Sequence, residues 1–277
     1  MGSTNNENRF GEHRHGEHRA SVMTVVLEAV GICKNYGHVE VLREVDFSVK
    51  AGEVTALIGD NGAGKSTLVK ILSGTTNLDR GTILLDGKPI TMNSPTAARN
   101  LGIETVYQDL ALAPELGPAE NTFAGREILK KGLLGRFGVL DKKEMRRQAG
   151  DAFTSMGTDV KDLDAPVGAL SGGQKQSVAI CRSVMWADKV IFMDEPTAAL
   201  GVRQTGKVLE LVRRVADKGV AVVLISHNMP EVLEVADSIQ VLRLGKRVAE
   251  YRGSEATVEM LVGAMTGALD VVSGGAR

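Results

Sequence analysis

The sequence predicts an α/β fold in which a mainly parallel β-sheet carries helices on both faces. Short β-rich runs alternate with helical segments over most of the chain, as expected of consecutive βαβ units. Two later runs, "DKVIFMDEP" and "VAVVLIS", are continuously apolar, which is typical of parallel strands buried on both faces. At 277 residues the chain can form one large domain or a domain with an inserted subdomain.

The elements can be assigned in chain order. "VVLEAVGICKNY" and "VLREVDFSVK" predict strands, and the apolar "EVTALIG" predicts a third. A helix is expected from Lys65 to about Ser73. "TILLDGKPI" predicts a hairpin, because Asp86 and Gly87 stand between two apolar runs. Further helices are expected at about 171–187 and 203–218, and near the C-terminus at Ala256–Gly267.

The stretch from about 110 to 165 interrupts the alternation of strands and helices. It is mostly helical in pattern, lacks strong strand runs and is punctuated by prolines and glycines. We therefore expect an inserted helical subdomain within a single domain spanning residues 23–270. Residues 271–277 are expected to form a flexible C-terminus.

The first 22 residues differ in composition from the rest. His13, His15 and His18 lie among arginines and glutamates with no apolar period, so a disordered tail is expected. The alternative is a metal-binding tail, which the interspersed arginines disfavour.

Charge and composition exclude several classes of protein. A formal net charge of -1 provides no basic field for a nucleic-acid partner, so none is expected. No run reaches the roughly 18 apolar residues that span a bilayer, and no apolar core follows the charged N-terminus as in a secretory signal. We expect a soluble chain in which Cys33 and Cys181 are buried, reduced thiols.

The strongest chemical signal is "GDNGAGKST", which runs from Gly59 to Thr67 between an apolar strand and a helix. Its spacing and context are those of a phosphate-binding loop. Glycines allow backbone N–H groups to converge on phosphate oxygens at a helix N-terminus. Lys65 would add a full charge at the β- and γ-phosphates, and the Ser66 hydroxyl would face Mg²⁺. The alternative is an ordinary tight turn before a helix.

A second signal is the pair Asp194 and Glu195 at the end of "VIFMDEP". Ligands of open parallel sheets bind beyond the carboxyl ends of the strands, where this pair would emerge. Asp194 suits Mg²⁺, and Glu195 is placed to polarise an attacking water as a general base. The alternative is that the two carboxylates cap the turn before Pro196, but they would be costly to place there without a cation or donors.

With these motifs the chain resembles the ATP-binding subunit of an ABC transporter over roughly residues 25–265. The phosphate loop, Gln108 in "VYQD", "LSGGQKQ", the acidic pair and His227 in "LISHN" follow one another in the family's order. The resemblance implies a RecA-like P-loop NTPase core with an antiparallel β subdomain and an inserted α-helical subdomain. It also implies ATP hydrolysis with ATP and Mg²⁺ as cofactors.

The resemblance also implies roles for individual residues. Lys65, Gln108, Glu195 and His227 are the catalytic candidates, and Ser66, Gln108 and Asp194 are the Mg²⁺ candidates. Tyr36 matches the aromatic residue that stacks on adenine, although a lone tyrosine could equally belong to the core. His227 matches the histidine that bonds the γ-phosphate, the alternative being a generic buried histidine, whereas His38 is expected in a solvated loop. The nucleotide-binding candidates are Tyr36, Gly59, Asp60, Asn61, Gly62, Ala63, Gly64, Lys65, Ser66, Thr67, Ser171, Gly172, Gly173 and Gln174.

"LSGGQ" is a second glycine-bearing helix start, and Ser171, Gly172 and Gly173 would form another anion-seeking N-terminus. In the family this turn covers the γ-phosphate bound by a second cassette, so the resemblance implies a head-to-tail dimer that encloses two ATP molecules. ATP binding would close the dimer and hydrolysis would reopen it. The alternative is a simple helix cap in a glycine-rich turn.

One position departs from the family pattern, because Gly201 stands where many cassettes carry an aspartate. That loss removes a contact across the dimer, so coupling between the two sites is expected to be looser. "DEPTAAL" and "VYQDLALAPELGPAENTFAGRE", with Gly125, Arg126 and Glu127 at its end, resemble the ribose, xylose and fructose importers.

The resemblance therefore implies a homodimer bound to two permease subunits at the cytoplasmic face of the bacterial plasma membrane. The permease subunits would receive a monosaccharide from an extracytoplasmic binding protein. Two alternatives are a soluble ABC ATPase that acts on ribosomes or DNA and a small-molecule kinase. A soluble ABC ATPase usually has tandem cassettes, a basic linker or a coiled-coil insertion. A small-molecule kinase is not expected to contain "LSGGQKQ".

Overall fold

The computed structural model describes residues 24–158, 160, 162–198 and 200–268. The N-terminal histidines and the expected tails at 1–22 and 271–277 lie outside the described residues. The strands are β1 (Val25–Tyr36), β2 (Val39–Lys50), β3 (Val54–Ile58), β4 (Arg80–Leu85), β5 (Lys88–Ile90), β6 (Ile103–Val106), β7 (Val190–Asp194), β8 (Ala221–Ile225), β9 (Ser238–Arg243) and β10 (Lys246–Arg252).

The helices are α1 (Lys65–Leu72), α2 (Pro95–Asn100), α3 (Pro118–Thr122), α4 (Leu133–Arg136), α5 (Lys142–Ser155), α6 (Gly172–Val184), α7 (Val202–Asp217), α8 (Met229–Val235) and α9 (Val258–Thr266), with a short 3₁₀ helix at Val167–Ala169. Within the described residues, no helix is both long enough and apolar enough to cross a bilayer.

The larger sheet has six strands in the order β10-β9-β3-β8-β7-β6. β9, β3, β8, β7 and β6 run parallel to one another, and only β10 is antiparallel to its neighbour. The carboxyl ends of β3, β8, β7 and β6 therefore meet at one edge of the sheet, and the predicted phosphate loop, acidic pair, His227 and Gln108 all follow these ends.

The central strands are covered on both faces of the sheet, and their apolar side chains alternate between two hydrophobic cores. On β7, Ile191 and Met193 pack into the core formed with α5, α6 and α7, whereas Val190 and Phe192 pack into the core formed with α1 and the smaller sheet. This alternation explains why β7 carries no polar residue before Asp194: a strand covered on both faces has no solvent side.

The smaller sheet is antiparallel, in the order β2-β1-β4-β5. Its hairpin between β4 and β5 turns at Asp86 and Gly87, as the sequence predicts; Asp86 has a φ of 49° and Gly87 one of 73°. Leu27, Val45 and Phe47 bury this sheet against α1.

Residues 110–165 contain α3, α4, α5 and one isolated bridge, and the structure assigns no longer strand in their described part. Phe123, Met145 and Phe153 are buried in the same core as α6 and α7. The segment is therefore helical and packs onto the helix that begins at the "LSGGQ" turn. Cys33 and Cys181 are buried and unpaired, as expected of reduced thiols.

Glu104 on β6 is a nearly buried carboxylate with a side-chain exposure of 8%. The Arg126 Nη2 atom donates to its Oε1 at 2.6 Å, and the Arg126 guanidinium carbon lies 4.7 Å from the centroid of the Trp186 ring. Arg99 approaches the same carboxylate more distantly, at 3.8 Å. Arg126, from the Gly-Arg-Glu triplet, thus joins the helical segment to the parallel sheet.

Replacing Arg126 by methionine is expected to lower the free energy of unfolding by about 2–3 kcal/mol, because it leaves a desolvated carboxylate with only a distant cation. Urea unfolding measures this loss. In the double variant with Glu104→Gln most of it should be recovered. Arg252→Met, at an 81% exposed side chain with a 3.7 Å ion pair, is the control and should cost at most about 1 kcal/mol. Equal losses for the two single arginine variants would contradict the buried pairing.

Candidate functional site

The predicted phosphate loop joins β3 to α1 at the edge where the parallel strands end. Gly59 has a φ of 154° and Gly64 a φ of 105°. A Cβ on Gly59 would lie 2.2 Å from the Leu242 carbonyl oxygen, and one on Gly64 would lie 2.6 Å from Leu42 Cδ2. Both glycines are therefore required by backbone conformation and by close packing, which excludes an ordinary turn that any residue could form.

Lys65 folds over this loop. Its Nζ donates to the Gly59 carbonyl at 2.6 Å and to the Asp60 carbonyl at 3.1 Å. Burial lowers the pKa of Lys65, while the charges of Glu195, Asp60 and Asp194 act in the opposite direction. The ammonium group is thus partly desolvated and lies close to the acidic pair, although about 130 residues separate them in the chain.

The acidic pair emerges at the end of β7, as predicted. Burial raises the pKa of Asp194, the neighbouring charge of Glu195 raises it further, and Lys65 and Lys70 oppose the shift. A carboxylate in this situation favours an added cation, because a cation removes the cost of desolvating the negative charge.

Glu195 has a backbone conformation that is unusual for a residue with a side chain. Its φ is 49°, and its N–H donates to the Ile225 carbonyl at 2.9 Å, which ties the end of β7 to the end of β8. Left-handed backbone at a non-glycine residue is uncommon and persists where the surrounding structure imposes it. The side chain, 26% exposed, is held at the surface of this sheet edge.

His227 contacts Glu195 directly: its Nδ1 lies 2.7 Å from Glu195 Oε1. An ionised Glu195 would accept this hydrogen bond from the His227 tautomer that carries its proton on Nδ1. His227 follows β8, which ends at Ile225, with the buried Ser226 between them. His227 is 71% exposed at its side chain, so the alternative of a generic buried histidine is wrong.

Gln108, Tyr36 and His38 are all exposed. Gln108 follows β6 by two residues, on the same sheet edge as the acidic pair. Tyr36 ends β1 with 48% exposure, and Lys34 Nζ lies 5.6 Å from its ring centroid. The core alternative for Tyr36 is therefore wrong. His38 lies in the turn between β1 and β2, as expected.

The "LSGGQ" turn begins α6. The Gln174 N–H donates to Ser171 Oγ at 3.4 Å and the Ser171 N–H donates to Gln174 Oε1 at 3.0 Å, so the two residues form a capping box. The N–H groups of Gly172 and Gly173 belong to the first helical turn, where the helix provides no acceptor. Capping and anion binding are thus compatible in this turn.

A cavity of about 520 Å³ adjoins this turn. Ser171, Gly173 and Gln174 line it together with α7 residues such as Gln204, and no residue of the phosphate loop lines it. Gln204 also accepts from the Gly201 N–H at 3.1 Å, which places Gly201 beside the same surface. This cavity therefore joins the signature turn to α7 and not to the phosphate loop.

Arg182 is a further residue near the site that the sequence did not predict. This residue, on the second half of α6, donates to the carbonyls of Leu110 and Ala111 at 2.8 and 2.9 Å. Those carbonyls follow Gln108 closely, so α6 connects the signature turn at its start to the Gln108 segment. An isolated arginine in an amphipathic helix gives no sequence signal for such a contact.

Among the described residues, no three His, Cys, Asp or Glu side chains cluster so as to hold a metal by themselves. A magnesium ion in a nucleotide site takes only one or two carboxylates and completes its six ligands with phosphates and waters. Ser66 at the start of α1 and the partly desolvated Asp194 fit that requirement.

Comparison with known proteins agrees with this site. The family model described as ABC transporter matches residues 42–198. The chain belongs to the ABC transporter family. It is an ATPase: it binds ATP and its activity is ATP hydrolysis. The fold prediction is also confirmed, since an ATP-binding cassette of an ABC transporter in its ADP conformation matches with a TM-score of 0.74 and 28% identity over 88% of this chain and 95% of that one.

Among curated relatives, the fructose import ATP-binding protein of Rhizobium meliloti is 48% identical over 88% of this chain and 94% of its own length. The xylose/arabinose import ATP-binding protein of Sulfolobus acidocaldarius is 45% identical over 88% of this chain and 95% of its own length. The ribose import ATP-binding protein of Lacticaseibacillus paracasei is 41% identical over 87% of this chain, which spans only 47% of that relative.

Proposed function

We propose that this ATPase energises an importer for a monosaccharide and works at the cytoplasmic face of a bacterial plasma membrane. The energy-coupling part of the proposal rests on the Glu195–His227 pair beside the phosphate loop, because this pair equips the site to activate water and not only to bind nucleotide. The sugar class is supported by the fructose, xylose/arabinose and ribose import relatives and by the Gly-Arg-Glu triplet.

The phosphate loop binds the phosphates of ATP in this proposal. The residues of the loop, Gly59, Asp60, Asn61, Gly62, Ala63, Gly64, Lys65, Ser66 and Thr67, surround them with backbone N–H groups at the start of α1. Lys65 exchanges its two loop carbonyls for charged phosphate oxygens, which are stronger partners. Tyr36 stacks on the adenine with its exposed ring face.

Ser66, Asp194 and Gln108 would hold Mg²⁺, which when bound neutralises charge on the β- and γ-phosphates. Glu195 accepts a proton from the attacking water. His227 would hold one oxygen of that carboxylate and leave the other to receive the proton, and its Nε2 would be available to the γ-phosphate. Gln108, which follows β6 on the same sheet edge, would orient the water.

The complete site also requires a second copy of the chain. Ser171, Gly172, Gly173 and Gln174 of one copy would cover the γ-phosphate bound by the other; in support, the cavity beside this turn is lined by no residue of the chain's own phosphate loop. ATP therefore closes the dimer, and loss of the γ-phosphate removes the contacts that favour the closed state.

The helical segment would transmit this change to the permease. We propose that residues 110–165 form an inserted subdomain in a single domain spanning 23–270, and that two permease subunits dock beside it. Arg182 joins α6 to the Gln108 segment, so a movement at the signature turn also moves the stretch that senses the nucleotide. A sugar-binding protein outside the membrane delivers the sugar to the permease.

The decisive experiment is affinity purification of the tagged chain from mild-detergent extracts of its native cells, with and without nuclease. We expect two multi-spanning membrane proteins to co-purify, and a monosaccharide-loaded binding protein to raise the ATPase rate of the reconstituted complex. Recovery of ribosomal RNA or DNA instead would favour a soluble ABC ATPase and reject the importer. The even charge of 33 basic and 34 acidic residues favours the first outcome.

A further inference from the structure

Residues 128–140 form a loop that closes at its base and carries α4 at its tip. Leu129 and Leu140 form an isolated antiparallel bridge. The Lys130 N–H donates to the Val139 carbonyl at 2.9 Å inside that bridge. We call these residues the α4 loop; its base is fixed by hydrogen bonds, so the tip has a defined shape.

The tip of the α4 loop presents large apolar side chains to solvent. Phe137 is 79% exposed, Leu133 71% and Leu134 54%. Gly132 and Gly138 flank them, and a Cβ added to either glycine would meet no atom within 4 Å. The tip therefore projects from the surface and offers a convex apolar knob instead of a groove.

The charges on the loop all have one sign. The stretch "ILKKGLLGRFGVL" contains three basic residues and no acidic one, and Lys130, Lys131 and Arg136 are all exposed. Glu144 on α5 lies near Lys131, but Arg147 is the main cause that lowers its pKa to about 2. Lys130, Lys131 and Arg136 are thus the cations nearest the knob in sequence, and of these Lys131 lies near an acidic side chain.

We propose that the α4 loop contacts the lipid bilayer directly, with Leu133, Leu134 and Phe137 entering the interface of an anionic membrane and Lys130 and Arg136 binding lipid phosphates. A short apolar projection flanked by cations binds such a surface through apolar burial and attraction to anionic headgroups together. A protein partner would need a pocket shaped to the knob and acidic groups around it, whereas a membrane needs neither.

The test is flotation of the purified full-length chain with vesicles of phosphatidylcholine, with or without phosphatidylglycerol. We expect binding to the anionic vesicles only, weakened by salt. Leu133→Ser combined with Phe137→Ser should reduce partitioning by at least about tenfold. Arg136→Glu should reduce it by about fivefold or more.

The matched controls lie on the β9–β10 hairpin, outside the α4 loop. Leu244, 71% exposed in the turn between β9 and β10, is changed to serine, and Arg252, with an 81% exposed side chain, is changed to glutamate. Both variants should partition as the unaltered chain does. Circular dichroism and the ATP affinity of each variant verify that it is folded.

A second readout locates the contact. In the Phe137→Trp variant, the fluorescence emission of the introduced tryptophan is expected to shift to shorter wavelength with anionic vesicles and to be quenched by brominated lipid. The single native tryptophan, Trp186, is partly buried and should not respond. Unchanged flotation of the α4-loop variants would overturn the proposal, as would absence of binding to any vesicle. Loss of permease co-purification by these variants, without vesicle binding, would instead make the loop a protein-docking surface and would also overturn it.

Discussion

Replacing Glu195 by glutamine is expected to lower kcat for ATP hydrolysis by roughly a hundredfold to ten-thousandfold, while the Kd for ATP changes by less than about twofold. The amide has the size of the carboxylate but cannot accept a proton from water. The Glu195 backbone, with its φ of 49° and its hydrogen bond to Ile225, is retained by a residue of the same shape. The variant therefore removes the base and preserves the geometry.

The same variant should accumulate the closed dimer. If ATP is bound but not hydrolysed, the γ-phosphate continues to join the phosphate loop of one copy to the Ser171 turn of the other. Size-exclusion chromatography with Mg-ATP is expected to show a dimer for Glu195→Gln and mostly monomer when ADP replaces ATP. A monomer in both conditions would contradict the shared site.

Glu234→Gln is the matched control for this change. Glu234 lies exposed on α8, which follows the His227 segment, and the substitution alters charge and size in the same way. Its ATPase rate should remain within about twofold of the unaltered chain. A large loss in the control would indicate that general electrostatics at this edge, and not the base at position 195, determines turnover.

The sequence predicts the phosphate loop and the acidic pair well because each motif is local. "GDNGAGKST" contains both the glycines that the turn needs and the lysine that folds over it, and "VIFMDEP" contains the buried strand that ends at Asp194. The order of parallel strands then brings both motifs to one sheet edge.

Contacts between distant segments could not be predicted in the same way. Arg182 reaches carbonyls 71 and 72 residues earlier in the chain, and Arg126 reaches Glu104 across the boundary between the helical segment and the sheet. Neither pairing leaves a period or spacing in the sequence, because both depend on how the helical segment, α6 and β6 pack together. The left-handed backbone of Glu195 is equally invisible, since it is imposed by the neighbouring end of β8.

Ser171→Arg is expected to abolish ATP turnover while each chain still binds ATP. The arginine fills the turn that would cover the partner's γ-phosphate, and it lies outside the phosphate loop of its own chain. Lys65→Ala should also abolish turnover, but for a different reason. Loss of the charge-assisted contact is expected to weaken the binding free energy of ATP by about 1.5–3 kcal/mol. Calorimetry separates the two defects, since only Lys65→Ala should raise the Kd for ATP.

Mixing these two inactive variants tests the shared site most directly. In a mixed dimer, one site combines both lesions, and the other combines the intact phosphate loop of the Ser171→Arg chain with the intact signature turn of the Lys65→Ala chain. Random pairing of equal amounts therefore restores about one quarter of the sites. Gly201 offers no side chain to link the two sites, so the restored site should turn over without a competent neighbour, and activity should approach that fraction. No recovery would contradict a shared site that works without a competent neighbour; a measurable recovery well below one quarter would retain the shared site but mean that the sites remain coupled despite Gly201.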